Sequence, residues 1–439
     1  MPSAESLRGA LAAVLAALLL AACGGGNSTE TTLIVGGQPA GPTGVEVDIT
    51  SPQGANTTEI LIDSGPSGVA LLGVANLPYV TVTVCTPGSA TACVTIDHVF
   101  LDTGSIGLRL LRSTVASLNL PAMAAPGGGS AVECYPFVIG AVWGALAQAD
   151  VRIGGEAAAG LPVQLIDDRA TPQPAPTADC QAAANGGLIQ SATALQAKGV
   201  LGVGMLAYDC GLVCDSGDYS GGYTLYYACD ASGACKASAM PAAQQLQNPV
   251  SYFAQDNNGT LVVLPALPAT GAAVVRGRLV FGIGTQANNQ LPAAGTTLQM
   301  QTDPASPGYL YVATSMAGTA YPYSYFDSGS NGLFFDDASL STTCSGAGSG
   351  GSWYCPATTQ SRSVTVTDPY GTQATVALSI ASADVLFASA NTAFANLGGA
   401  AGSGNPGAFV FGLPFFFGRS VYTSIWGQAL ARNGPWVAF

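Results

Sequence analysis

Apolar and polar residues alternate in short runs along most of the chain. Tyr79-Val80-Thr81-Val82-Thr83-Val84 and Thr95-Ile96-Asp97-His98-Val99-Phe100-Leu101 keep a period near two, which predicts strands with one buried face. Further strand-length apolar runs occupy Phe137 to Gly144, Ala149 to Gly155, Gly199 to Gly204, Gly277 to Gly282 and Phe409 to Phe416. Gly, Pro, Asn and Ser punctuate the intervals between them. The pattern predicts an all-β protein.

Composition sharpens this picture. Charged residues make up 8% of the 439 positions, against the ~25% usual for soluble domains. Mean hydropathy is +0.37, as high as in membrane proteins. Beyond the N-terminus, however, no run of ~18 residues is free of Gly, Pro or polar groups, so a multi-span helical protein is excluded. The 12 basic residues include two lysines, Lys198 and Lys236, and the net charge is −13. Nothing here is suited to neutralising phosphates, which excludes nucleic acid as a partner.

The N-terminus predicts export. Arg8 precedes an apolar run from Ala10 to Ala22, long enough for a signal-peptide core and too short to span a bilayer. Leu20-Ala21-Ala22-Cys23-Gly24 resembles the bacterial lipobox, which implies cleavage before Cys23 and attachment of lipid to its thiol. Residues 1–22 are then a signal peptide, and residues 23–45 a lipidated Cys and flexible tether. By the same resemblance, the chain is held by its lipid anchor in the bacterial cell envelope, at the outer membrane. An exported chain favours disulfides. Setting Cys23 aside leaves ten Cys, hence five bridges, with Cys85–Cys93, Cys229–Cys235 and Cys344–Cys355 the natural short-range pairs. Cys134, Cys180, Cys210 and Cys214 are left without an assigned order. A zinc site on Cys210-x-x-x-Cys214 is the rival, disfavoured by the export and by a single histidine. That histidine, His98, sits in a strand run and reads as a satisfied strand residue. His-pair metal sites are thereby excluded. Gly127 to Gly129 and Gly346 to Gly351 lack a Walker lysine and read as loops.

One motif occurs twice. Asp102-Thr103-Gly104-Ser105-Ile106-Gly107-Leu108 returns, about half the chain later, as Asp327-Ser328-Gly329-Ser330-Asn331-Gly332-Leu333, with five of seven positions identical. Both copies follow an apolar strand. Each also has a later apolar-apolar-Gly companion, Val200-Leu201-Gly202 and Val410-Phe411-Gly412. Chance would explain one Gly/Ser turn, but not two with matched companions. An Asp at a strand end followed by a small hydroxyl residue and Gly can receive backbone N–H bonds, and glycine permits two such loops to meet. Two carboxylates ~3 Å apart cannot both ionise, so they share a proton and titrate together. One then activates a water as base while the other protonates the scissile carbonyl as acid. Ser105 and Ser330 are placed to bond the outer carboxylate oxygens. No metal or cofactor is required.

These residues resemble the pepsin-like aspartic proteases. The likeness extends to the hairpin before Asp102, a flap hairpin at Phe137 to Gly144, the Gly199 to Gly204 segment, and the late Phe409 to Phe416 segment. It implies an all-β, bilobal fold with pseudo-two-fold symmetry and a central cleft. The N-terminal lobe would span 46–247 and the C-terminal lobe 248–439, with residues 46–74 an unassigned extension. It further implies an endopeptidase with polypeptide as substrate, acting as a monomer at acidic to near-neutral pH. Asp102 and Asp327 are then catalytic, supported by Thr103, Gly104, Ser105, Ser328, Gly329 and Ser330. Two positions depart from the family pattern. Phe137 aligns with the flap tyrosine, with Tyr135 the substitute if the register moves by two, and Arg109 stands where a tryptophan usually supports that ring. Trp143 could supply replacement surface for the flap. The altered flap leaves a second reading, a pepsin-like surface lipoprotein that binds polypeptide without cleaving it. A third, a β-rich adhesin, would not require the paired companions.

Overall fold

The computed structural model describes residues 45–49, 51–69, 75–184, 187–216, 225–293, 295–303, 306–340, 342–346, 352–402, 405, 407–427 and 434–439. The expected signal segment, Cys23 and the tether up to residue 44 lie outside the described residues.

Strands dominate, as the alternation predicts. The first group comprises β1 (Glu46–Asp48), β2 (Thr57–Ile62), β3 (Pro78–Cys85), β4 (Cys93–Asp102), β5 (Ile106–Leu111), β6 (Ser130–Phe137), β7 (Gly140–Ile153), β8 (Glu156–Ile166), β9 (Gly199–Val203), β10 (Tyr226–Cys229) and β11 (Cys235–Ala237). The cause is visible in β3, where Val80, Val82 and Val84 are buried and Thr81 is exposed. β5 is instead buried along its whole length, because neighbours cover both faces. Pairing runs β3–β4–β9–β5–β8–β7 and returns from β7 to β3, closing a six-stranded barrel. Val82, Leu101, Leu108, Val151, Val163 and Leu201 fall in one continuous core. Each such buried side chain contributes roughly 1.5–3 kcal/mol.

The remaining strands are β12 (Gly259–Val263), β13 (Val274–Phe281), β14 (Thr297–Gln299), β15 (Gln301–Asp303), β16 (Ser306–Met316), β17 (Thr319–Phe326), β18 (Leu333–Phe334), β19 (Gln360–Thr367), β20 (Gln373–Ile380), β21 (Gly398–Gly399), β22 (Val410–Phe411), β23 (Ser420–Ser424) and β24 (Trp436–Ala438). A second sheet runs β20–β19–β16–β17–β22–β18–β21, with β15 on β16. Beyond the barrel, β2–β13–β12–β23–β24–β14 continue the first sheet from β3. The extension 46–74 is therefore not an appendage. Its β2 pairs with β13 and its β1 lies parallel to β13, so early residues are threaded among late ones on the far side of Asn248.

Five disulfides form. The three short-range pairs are as expected, and the four unassigned cysteines join as Cys134–Cys180 and Cys210–Cys214, so the zinc alternative falls. The flap segment expected at Phe137 to Gly144 is the tip of a longer hairpin. Its arms are β6 and β7, its turn is Val138-Ile139, and β7 runs unbroken through the segment expected as a separate strand.

Candidate active site

Two strand ends deliver the repeated motifs. β4 ends on Asp102, and β17 ends on Phe326 immediately before Asp327. Each motif then turns back, and its companion segment passes between the two strands it joins. β9 lies between β4 and β5, with Gly202 opposite both Asp102 and Gly107. β22 lies between β17 and β18, with Phe411 opposite both Phe326 and Leu333. The companion glycines are sterically required. A Cβ on Gly202 would sit 2.6 Å from the Ile106 nitrogen, and one on Gly412 would strike the Gly332 and Ser330 carbonyl oxygens. The outer parallel partners also correspond, β8 on β5 and β21 on β18. One strand connection is thus built twice.

The loops meet with matched hydrogen bonding. Gly104 N donates to Asp102 Oδ1 at 2.8 Å, and Gly329 N to Asp327 Oδ1 at 2.7 Å. Ser105 Oγ donates to Asp102 Oδ2 at 2.5 Å, and Ser330 Oγ to Asp327 Oδ2 at 2.7 Å. The two Oδ1 atoms face each other across the glycines. A Cβ on Gly329 would lie 2.5 Å from Asp102 Oδ1 and 3.0 Å from Asp327 Oδ1. A Cβ on Gly104 would in turn lie 2.7 Å from Asp327 Oδ1 and 3.2 Å from Asp102 Oδ1. Beneath it, Thr103 N donates to Ser328 Oγ at 3.0 Å while Ser328 N donates to Thr103 Oγ1 at 2.9 Å, and Ser328 Oγ donates onward to the Leu101 carbonyl at 3.0 Å. Thr103 and Ser328 are buried, so these bonds are shielded from water and fix the loops relative to one another.

Electrostatics follow from this geometry. Burial, and then the Asp102 carboxylate beside it, push the Asp327 carboxyl up to about 8, against the partial relief given by Ser330. The pair therefore retains one proton into the neutral range.

A cleft opens over the carboxylates. Asp102 and Asp327 line it, together with Phe100 and Val200 from around the first motif and Phe334 and Val410 from around the second. The hairpin tip, Phe137 to Ile139, lines it as well. Apart from the two aspartates, the residues that line it carry no charge.

Three hairpin expectations are revised. Phe137 lines the cleft, but the ring that rests on Arg109 is that of Tyr135, with the guanidinium carbon 3.6 Å from the ring centroid. Tyr135 is not among the residues that line the cleft. Arg109 points into the protein and is fully buried. Trp143 does not face the cleft. It is buried against Tyr227, with ring centroids 5.2 Å apart, and donates from Nε1 to the Pro174 carbonyl at 2.8 Å. Period-two alternation on β7 explains this, since Trp143 stands opposite Cys134 on the face that carries the Cys134–Cys180 bridge. His98 stays outside the site, bonded to Asp97 at 2.6 Å and facing Asp63 at 3.3 Å, and chiefly the Asp63 bond raises its pKa.

Two residues escaped the sequence reading. Glu133 and Asp209 bind Arg109, at 2.6 and 3.2 Å from its Nη2. A signal existed for Glu133, a lone acid among Ala131, Val132 and Cys134 in a chain so poor in charge. Asp209, in a turn, carried none.

Residues 52–439 match a family described as a protein of unknown function (DUF3443). The chain belongs to that family. The match covers both Asp motifs, their companions and the hairpin. The curated proteins hold no match to the chain.

Proposed function

We propose that this member of the family is an aspartic-type endopeptidase of pepsin-like, two-lobed architecture, hydrolysing polypeptide through Asp102 and Asp327. The observation that carries the proposal is the matched pair of carboxylates, each held by its own glycine N–H and serine hydroxyl and cross-tied by Thr103 and Ser328. The strand connection built once around each aspartate supports the pseudo-two-fold relation of the lobes. With one proton shared, the ionised carboxylate takes a proton from a water seated between the pair, and the protonated partner donates to the carbonyl oxygen of the peptide bond. The water oxygen bonds to the carbonyl carbon as it loses that proton, and the carbon becomes tetrahedral. The carboxyl that took the proton then gives it to the amide nitrogen as the C–N bond breaks, while its partner takes one back from a hydroxyl on that carbon, so the pair returns to its starting charge with one shared proton. An extended substrate would lie beneath the hairpin and pair with its backbone. Retention of the shared proton supports activity in acid and up to neutral pH.

The test is cleavage of a denatured protein by the chain starting after Cys23, from pH 3 to 7, alongside Asp102→Asn and Asp327→Asn. Wild type cuts and both variants do not. An inert wild type that also fails to bind a transition-state-mimicking aspartic protease inhibitor ends the enzyme reading. Inhibitor or peptide binding without cleavage would establish the non-cleaving, polypeptide-binding alternative, which the Arg109 departure favours. Export and lipid attachment at Cys23 belong to the same proposal. Fatty-acid labelling of wild type that persists in Cys23→Ser would refute that attachment.

A further inference from the structure

The paths of the two sheets end on β11, β14, β20 and β21. Three of these are stubs of two or three residues, while β20 has eight. Natural edges of that length are blunted by Lys, Pro, a bulge or a covering segment, because unpaired N–H and C=O groups recruit further strands. β20, Gln373-Ala374-Thr375-Val376-Ala377-Leu378-Ser379-Ile380, carries no charge and no Pro, and its ladder with β19 has no bulge. At its start, Thr372 O accepts from Asp368 N at 2.9 Å on the β19 side, so alternation turns the N–H and C=O groups of Thr375, Ala377 and Ser379 outward. Among the described residues, only the Arg419 side chain reaches these groups. The next outward group, Ala381 N, donates to the Asn396 carbonyl at 2.9 Å, which closes that end of the edge.

A groove borders the edge, lined by Ala377 and Ser379 of β20 with Ala395, Pro414, Phe417 and Arg419. Arg419 is half-buried there. Its Nη1 donates to the Phe415 carbonyl at 2.5 Å and its Nη2 to the Ala377 carbonyl at 3.4 Å, with the guanidinium carbon 4.6 Å from the Phe415 ring centroid. Among the described arginines that are not exposed, Arg109, Arg276, Arg278 and Arg362 each face a carboxylate, at 2.6 to 3.9 Å, and Arg419 faces none. Burial alone depresses its pKa, with no acid near enough to oppose the shift. A partly desolvated cation without an anion is costly, and a carboxylate is the partner that a planar guanidinium fits.

We propose that the β20 edge is a docking site for the C-terminal end of an extended, uncharged polypeptide, which adds as a strand and seats its terminal carboxylate on Arg419. Main-chain bonds to Thr375, Ala377 and Ser379 supply affinity for an extended segment, and Ala395, Pro414 and Phe417 receive its apolar side chains. The closed end selects a chain terminus. A strand entering from Gln373 meets the bond between Ala381 and Asn396 just beyond the carbonyl that Arg419 holds, and must stop there. A single carboxylate also suits the net charge of −13, since a segment with many acids would be repelled by the rest of the chain. The groove shares no lining residue with the cleft over Asp102 and Asp327, so the site stands whether or not the chain is a peptidase.

The test is fluorescence anisotropy at neutral pH with N-terminally labelled peptides of about seven alternating valines and threonines. The protein is the chain starting after Cys23 in the Asp102→Asn background, which keeps the probe uncut. A peptide with a free C-terminus should bind about tenfold more tightly than its C-terminal amide. Arg419→Gln should erase that preference and leave the amide's affinity within about twofold. Methylating alternate peptide nitrogens should abolish binding, and so should Ala377→Pro, a change that edge strands tolerate. Equal affinity for acid and amide, or a preference that survives Arg419→Gln, overturns the proposal. Binding that survives methylation overturns strand addition. An amidated peptide with one internal glutamate that binds as well as the free acid overturns the choice of a chain terminus. Binding that fades as protein concentration rises, with dimers in sedimentation, assigns the edge to a second copy and overturns it too. Should Arg419→Gln fail to fold, Arg419→Lys, which loses the planar fork, must cut the preference at least about threefold, and an unchanged preference there refutes the site.

Discussion

Replacing Asp327 by asparagine should remove a pH dependence of stability that works against the usual acid denaturation. The Asp327 carboxyl is raised from 3.8 to about 8, first by burial and then by Asp102. Between those values the folded chain keeps a proton that the unfolded chain releases, so rising pH favours unfolding. This contribution is complete below about pH 4 and is lost as pH passes through about 8. At 1.36 kcal/mol per unit, an interval of roughly four units has a ceiling of about 5 kcal/mol. That is a large part of the ~5–15 kcal/mol that holds a domain together. Asparagine keeps the shape but does not titrate. The assay is urea unfolding of wild type and Asp327→Asn, disulfides intact, at steps from pH 4.5 to 8. Relative to the variant, wild type should lose several kcal/mol across the series. Carboxylates held low by their own partners, such as Asp97, Asp167 and Asp337, lose their contribution in acid. They are common to both proteins and cancel in the difference. Curves that stay parallel within about 0.5 kcal/mol would refute the coupled, buried pair.

Other perturbations give separate checks. Gly329→Ala would set a methyl 2.5 Å from Asp102 Oδ1 and force the carboxyls apart, so peptide cleavage should fall about 100-fold; Gly127→Ala, which meets nothing within 4 Å, should leave it unchanged. Ser328→Ala strands the buried Thr103 N–H, and denaturant titration should register a loss of about 1–3 kcal/mol. Removing Cys134–Cys180 as a double alanine variant opens a span of 46 residues and should cost about 4 kcal/mol by calorimetry.

Local patterning and the internal repeat made the candidate site legible. Period-two runs located β3 and β4, and the repeated Asp-[Thr/Ser]-Gly-Ser motifs with their glycine companions located both carboxylates and the strands that frame them. Long-range pairing was not legible. Nothing in Thr57–Ile62 says that its partner is β13, more than 200 residues on, because alternation specifies a face and not a neighbour. The hairpin was only partly legible for a related reason. A shift of two residues keeps every side chain on its own face, so apolarity alone could not say which of Tyr135 and Phe137 would line the cleft. Phe137 does, while Tyr135 rests on Arg109, a contact that depends on tertiary structure.

The threading of β2 against β13 has a consequence for timing. Asn56 Nδ2 donates to the Phe281 carbonyl at 2.8 Å across 225 positions, and Asn76 Nδ2 to the Phe394 carbonyl at 3.0 Å across 318. Neither bond can form until the ribosome has made most of the polypeptide. The two halves of the carboxylate pair are likewise synthesised far apart and tied only by late contacts. A nascent chain therefore carries the Asp102 loop without its partner until Asp327 and the strands around it have been made. Such distant pairing also predicts slow folding, because long loops must close before they are rewarded.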